Sequence, residues 1–353
     1  MTKYRKECTI NEVKESDNIL YKKFLYGQIK NILYRKSFTG QITKAFDINR
    51  SCAPKYNKSK EENKKYSNNS FKIAIGSDKS NEKDVANKLI DVFGIADYEL
   101  FHEKFHEAVS GDGQELSRVN VFHSSSLIAL LCFYAVKKKN LTIKLDKRDA
   151  IFDDVAFEQK NEVSNGHCSN IDVMLSGHYK DDDKNVILFL ESKFSEYLKC
   201  GKQDNISKEA YENMYNKLFP IVGLKFKDMD DGTLSIIGKR GNCTHYAGGI
   251  KQMISHYMGI KNSYKNNSNI KFQYDNQDIY LGEIMYKFPK EIDKKKLENY
   301  RGLYSELAEK LNGLSDGCNI TVLGEVMTYQ DVFKNYNLDD LVKKYYNVGI
   351  SNF

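Results

Sequence analysis

Asn170-Ile171-Asp172-Val173-Met174-Leu175 and Val186-Ile187-Leu188-Phe189-Leu190-Glu191-Ser192-Lys193 decide how this chain is read. Both are apolar runs of strand length, and each carries ionisable residues that an apolar strand does not need for packing. Side chains alternate across a strand, so Glu191 and Lys193 share a face while Ser192 points away. A connecting loop centred on Asp181-Asp182 sets residue 172 opposite residue 191. Two carboxylates directly across a ladder repel unless a cation lies between them. Oxygen donors with open positions suit Mg²⁺, with Mn²⁺ as a substitute. Lys193 beside such a cation would either orient or deprotonate a water attacking a phosphodiester, while the metal stabilises charge developing on phosphate.

Working outward, residues 151–194 keep a period of two, with Val155, Phe157, Ile171, Val173 and Leu175 apolar between polar neighbours. Asn165-Gly166 is a hairpin signal, so three consecutive antiparallel strands are expected. A two-residue turn there pairs Gln159 with Asp172 and sends Glu158 to the other face; a bulge would reverse this. Upstream, residues 81–93, 98–109 and 115–136 have helical spacing, and downstream 246–260 reads as a helix and 279–286 as a strand. The class is α/β, with a mixed central β-sheet flanked by helices in the order α-β-β-β-α-β. Residues 1–90 form a basic helical N-terminal extension and 91–288 the core, with an insertion at 199–245. Residues 289–353 form a C-terminal helical appendage with helices at 291–311 and 338–346.

Four stretches carry a family resemblance. They are Gly111-Asp112-Gly113-Gln114-Glu115-Leu116, His123-Ser124-Ser125-Ser126-Leu127, Glu191-Ser192-Lys193-Phe194-Ser195-Glu196 and Ile250-Lys251-Gln252-Met253-Ile254-Ser255-His256. Together with the element order over residues 114–288, the chain resembles the PD-(D/E)XK nuclease superfamily, and within it a bacterial restriction-endonuclease-like group. The residue before the aspartate is Ile171 rather than proline. The resemblance implies a restriction-endonuclease-like core in which Asp172 and Glu191 bind metal and Lys193 activates water. Gln252 would align catalytic groups or the scissile strand, and Glu115 would be a helical carboxylate. It further implies a Mg²⁺-dependent DNA endonuclease acting on double-stranded DNA, foremost a type II restriction enzyme with a cognate methyltransferase. The alternatives are a repair or defence nuclease without strict site specificity and a catalytically inactive DNA-binding protein on the same fold.

Composition sets the outer limits. The 353 residues are 41% hydrophobic and 29% charged, which excludes a disordered chain. No run is long enough to span a bilayer, no signal peptide is evident, and the seven scattered cysteines read as reduced thiols in a cytoplasm. The net charge of +6 is concentrated at the N-terminus, where residues 1–66 hold 16 Lys and Arg against 7 Asp and Glu. A basic, aromatic helix at 18–36 is compatible with phosphate contact, but the favoured reading is an amphipathic helix with aromatics in a core and lysines in water. One D…ExK constellation per chain makes a homodimer the simplest way to cut two strands, through helices in 1–50 and 291–346. A competing pattern, His102-Glu103-Lys104-Phe105-His106, matches the H-E-x-x-H of zinc proteases. The bland reading of that helix puts Leu100, Phe101 and Phe105 in a core and needs no zinc.

Overall fold

The computed structural model describes residues 81–110, 124–164, 167–194, 204–207, 225–228, 233–237, 239–240, 243–244, 247–265, 277–287, 294–314 and 319–346, with Leu116, Val119 and Val348. The helix expected at 18–36, the turn residues Asn165-Gly166, Glu115 and most of 199–245 lie outside the described residues. The chain divides into two compact units, Met1–Ala135 with Tyr329–Phe353, and Val136–Thr328.

In the first unit, α1 (Glu82–Phe93) and α2 (Tyr98–Val109) begin where short polar side chains cap them. Asn81 accepts from the Asp84 N–H at 2.8 Å and Asp97 from the Leu100 N–H at 3.3 Å. Gly94 ends α1 at φ 62°, a conformation that suits glycine. Helix α3 (Ser125–Phe133) is shorter than the 115–136 expected, because the Ser124 hydroxyl accepts from the Leu127 N–H and caps the chain there. Its residues Leu127–Phe133 are all buried, so it is the centre of this unit. The short α7 (Tyr329–Val332) and α8 (Asp340–Tyr346) also belong to this unit, with Phe133 edge-on to Phe333 at 4.9 Å and the Tyr134 hydroxyl donating to Asp339 at 2.6 Å.

The second unit is a mixed open sheet with helices. A single turn, α4 (Val136–Lys139), leads into β1 (Leu141–Leu145), β2 (Arg148–Ser164), β3 (His167–Tyr179) and β4 (Asn185–Lys193). Helix α5 (Ala247–Lys265) then crosses to β10 (Asp278–Met285), and α6 (Lys294–Asn312) to β11 (Ile320–Val322) and β12 (Met327–Thr328). The sheet order is β1-β2-β3-β4-β10-β11, with β12 also on β10. The first four strands are an antiparallel meander, and β10 runs parallel to β4, β11 and β12. Strand β4 is central, and Val186–Leu190 is buried on both faces as the continuous apolar run requires; each such side chain contributes roughly 1.5–3 kcal/mol.

Three findings extend the sequence reading. Strand β1 was not expected, although Leu141, Ile143 and Leu145 are buried and Thr142 and Lys144 exposed, as on an edge strand. Residues 289–353 contain the short β11 and β12 besides their helices. The insertion at 199–245 holds strand structure of its own: β5 (Asp204–Ser207), β7 (Thr233–Ile237) and β6 (Lys225–Asp228) make a small antiparallel sheet, and β8 (Lys239–Arg240) pairs with β9 (Cys243–Thr244).

Candidate active site

The β3–β4 ladder runs from His178↔Asn185 to Val173↔Leu190, a register centred on Asp181-Asp182. One step further along the same register stand Asp172 and Glu191, where the loop residues place them. The Ser192 N–H donates to Asp172 Oδ2 at 2.7 Å, which fixes the aspartate against the end of β4. On β4, Lys193 Nζ donates to Glu191 Oε1 at 2.5 Å. Both are almost wholly buried, at 4% and 3% exposure. Burying two charges is costly unless they are paired and hydrogen-bonded, and here the second partners come from α5. Gln252 Oε1 accepts from Lys193 Nζ at 2.8 Å, and His256 Nε2 lies 2.8 Å from Glu191 Oε2. Asp172, Glu191 and Lys193, which the hairpin register grouped, and Gln252, which the resemblance added, therefore meet.

The two carboxylates differ in charge environment. Burial alone would raise the Glu191 carboxyl, but Lys193 and His256 bring it down to about 2, so it is ionised. Asp172 is pushed well above the ordinary carboxyl range, first by burial and then by the Glu191 and Glu158 carboxylates; Lys193 and the Ser192 N–H offset this only in part. Asp172 is thus held toward its neutral form, a bias that a nearby cation would offset.

Whether Glu158 faces away from Asp172 depended on a bulge, and the bulge is there. The β2–β3 register shifts between Glu162 and Ser164, and beyond the irregularity Phe157↔Val173 and Gln159↔Ile171 bracket Glu158 and Asp172 as opposite positions. Glu158 has φ 50°, uncommon for a residue with a side chain and typical of functional sites. Sequence reasoning also missed His256 and Glu283. Glu283 is the β10 register partner of Glu191 and is wholly buried, with the Tyr300 hydroxyl 2.6 and 2.7 Å from its two oxygens. The like-charge neighbours Glu191 and Glu283 are accommodated by separate partners.

Among the described residues no three His, Cys, Asp or Glu side chains converge closely enough to enclose an ion. Asp172 and Glu191 would give a divalent cation two carboxylates, and Mg²⁺ is suited to that number because it completes its shell with water and substrate phosphate. The excess negative charge around Asp172 fits such an ion.

The rival pattern is spread apart. His102 Nε2 lies 3.0 Å from Asn87 Oδ1 and His106 Nδ1 2.8 Å from Glu82 Oε1, so each histidine turns to a different residue of α1. Phe101 and Phe105 are fully buried, and Leu100 nearly so. Lys104 is buried with them, its ammonium 2.8 Å from Glu107. Among the described residues no helix is long and apolar enough to cross a membrane. No family model, curated protein or solved structure matches the chain.

Proposed function

We propose that the chain is a Mg²⁺-dependent endodeoxyribonuclease on a restriction-endonuclease-like core, and within that class a type II restriction endonuclease acting on double-stranded DNA. The observation that carries the reading is the meeting of Asp172, Glu191, Lys193 and Gln252 beyond the end of the β3–β4 ladder. Topology supports it: the meander β2-β3-β4, the crossover helix α5 and the parallel strand β10 follow the β-β-β-α-β part of the order implied by the resemblance.

Asp172 and Glu191 would hold Mg²⁺, which when bound supplies positive charge against the negative charge growing on the phosphate oxygens. The chain's own groups position the rest. Glu191 and Gln252 hold the Lys193 ammonium in one place, so its charge needs no reorganisation as the phosphodiester reacts. From there Lys193 donates to the attacking water and orients it toward phosphorus. The water oxygen bonds to phosphorus as the bond to the leaving sugar oxygen breaks; the proton that the water gives up passes to solvent, and the leaving oxygen takes one from solvent. The Ser192 N–H restrains one Asp172 oxygen and so limits rotation of that carboxylate.

Incubation of the purified chain with plasmid DNA and Mg²⁺, followed by sequencing of the product ends, tests this. Discrete fragments sharing an end sequence are the expected result. Cleavage at random positions moves the reading to a repair or defence nuclease. Duplex binding without cleavage in Mg²⁺ or Mn²⁺ leaves an inactive DNA-binding protein.

A further inference from the structure

His256 closes the Ile250–His256 stretch but takes no role from the sequence, yet it is 2% exposed and bonded to Glu191 Oε2. The other oxygen of the same carboxylate takes the Lys193 ammonium, so Glu191 stands here as the acceptor and His256 Nε2 as the donor. Its other nitrogen, Nδ1, is buried and has no hydrogen-bond partner among the described residues. A buried polar atom without a partner is unfavourable, so packing alone would be better served by an apolar ring at this place. The Nε2 bond is what justifies the histidine.

On α5, Gln252 and His256 are four residues apart and share a face. One bonds to Lys193 and the other to Glu191, so the helix holds each member of the ion pair separately. A lone ammonium beside an unrestrained carboxylate can straddle both oxygens and screen them. With His256 on Oε2 and Lys193 on Oε1, each oxygen keeps one of its two lone-pair positions for another ligand.

We infer that His256 is a positioning residue: it holds Glu191 so that Lys193 engages one oxygen only and the carboxylate presents a fixed edge to a divalent cation. This rests on the metal-dependent nuclease reading. Hydrogen-bond partners of metal-binding side chains alter metal affinity by roughly 10- to 100-fold, which sets the expected size of the effect.

The test is calorimetric titration of Mn²⁺ into the full metal-free chain without DNA. His256→Phe fills the space but cannot donate, and His256→Asn keeps a polar group too short to reach Oε2. Each should weaken Mn²⁺ binding by roughly 10- to 100-fold. His256→Gln, whose amide N–H reaches about as far as Nε2, should restore most of the affinity. Circular dichroism checks folding, and His256→Asn decides the matter if His256→Phe does not fold. Wild-type affinity in the folded Phe or Asn variant overturns this role alone, as does a His256→Gln as weak as His256→Phe. A wild-type chain that binds no Mn²⁺ overturns both this role and the metal-dependent reading of the site.

Discussion

On α2, His102 and His106 sit one helical turn apart and bond to Asn87 and Glu82, whereas on β4 Glu191 and Lys193 sit two residues apart and bond to each other. Both spacings put ionisable groups on one face, so spacing does not separate them. Burial does. The His106 side chain is 71% exposed and finds a neighbour among surface groups. Glu191 and Lys193 lie at the end of a strand whose preceding five residues are all buried, where a charge persists only if others converge on it. A motif in a buried strand is therefore more informative than an equally regular one on a surface helix.

The largest contrast is expected in catalysis. Lys193→Ala and Asp172→Asn should each lower Mg²⁺-dependent plasmid cleavage by roughly 10²- to 10⁴-fold, while the double variant His102→Ala/His106→Ala cuts at the wild-type rate. Equal losses in both regions, read as initial rates on supercoiled substrate, would erase the distinction.

Stability should separate the two carboxylates by sign. Glu191→Gln leaves Lys193 buried without its counter-charge and should cost about 3–5 kcal/mol at neutral pH in chelator. The Glu191 carboxyl lies below its ordinary value, so its contribution is present above an ordinary pKa of about 4.3 and is lost as pH falls toward about 2. The deficit of Glu191→Gln should shrink over that window. Asp172 is displaced upward, so its contribution is full below an ordinary pKa of about 3.9 and is lost as pH rises through the higher folded value. Asp172→Asn should accordingly melt above wild type at neutral pH without metal, and the advantage should vanish in acid. Thermal melts across pH check both; a destabilised Asp172→Asn at neutral pH would mean that the aspartate is already compensated.

The smallest effect belongs to α2. His106→Ala should change stability by no more than about 0.5 kcal/mol, as surface substitutions do. Elemental analysis should find no stoichiometric zinc, and one zinc per chain lost with His106 would restore the protease reading.

What could be read from sequence follows the range of the forces involved. Helices α1 and α2 were legible because apolar residues recur at helical spacing along 81–93 and 98–109, a signal local to each segment. The 172–191 register was legible because one short loop sets it. The side of Glu158 stayed open because an irregularity near Val163 shifts the pairing by one residue, and nothing between residues 158 and 172 announces it. The bond from His256 to Glu191 spans 65 residues and depends on how α5 lies on the sheet, which periodicity does not encode. Strand β1 alternates over only five residues just past Lys137–Lys139 and Asn140, and β11 and β12 are three and two residues long, too short for a period to register.

Helix α5 is fastened at both ends by polar contacts rather than by apolar packing alone. Asn262 Nδ2 donates to the Glu162 and Val163 carbonyls at 3.1 and 2.8 Å, and Ser263 Oγ lies 3.1 Å from Asn161 Oδ1. Between these anchors and the Lys193 pair, Gly259 lies so close to Asn161 that an added Cβ would sit 2.8 Å from its Cβ. Apolar surfaces tolerate slippage along a helix axis, but directional bonds at residues 252 and 263 do not, and they are roughly 16 Å apart at 1.5 Å per residue. The helix is in effect a rod of set length pinned at two points. A displacement of the β2–β3 hairpin at 161–163 therefore arrives at Gln252 and His256 as a shift along that rod.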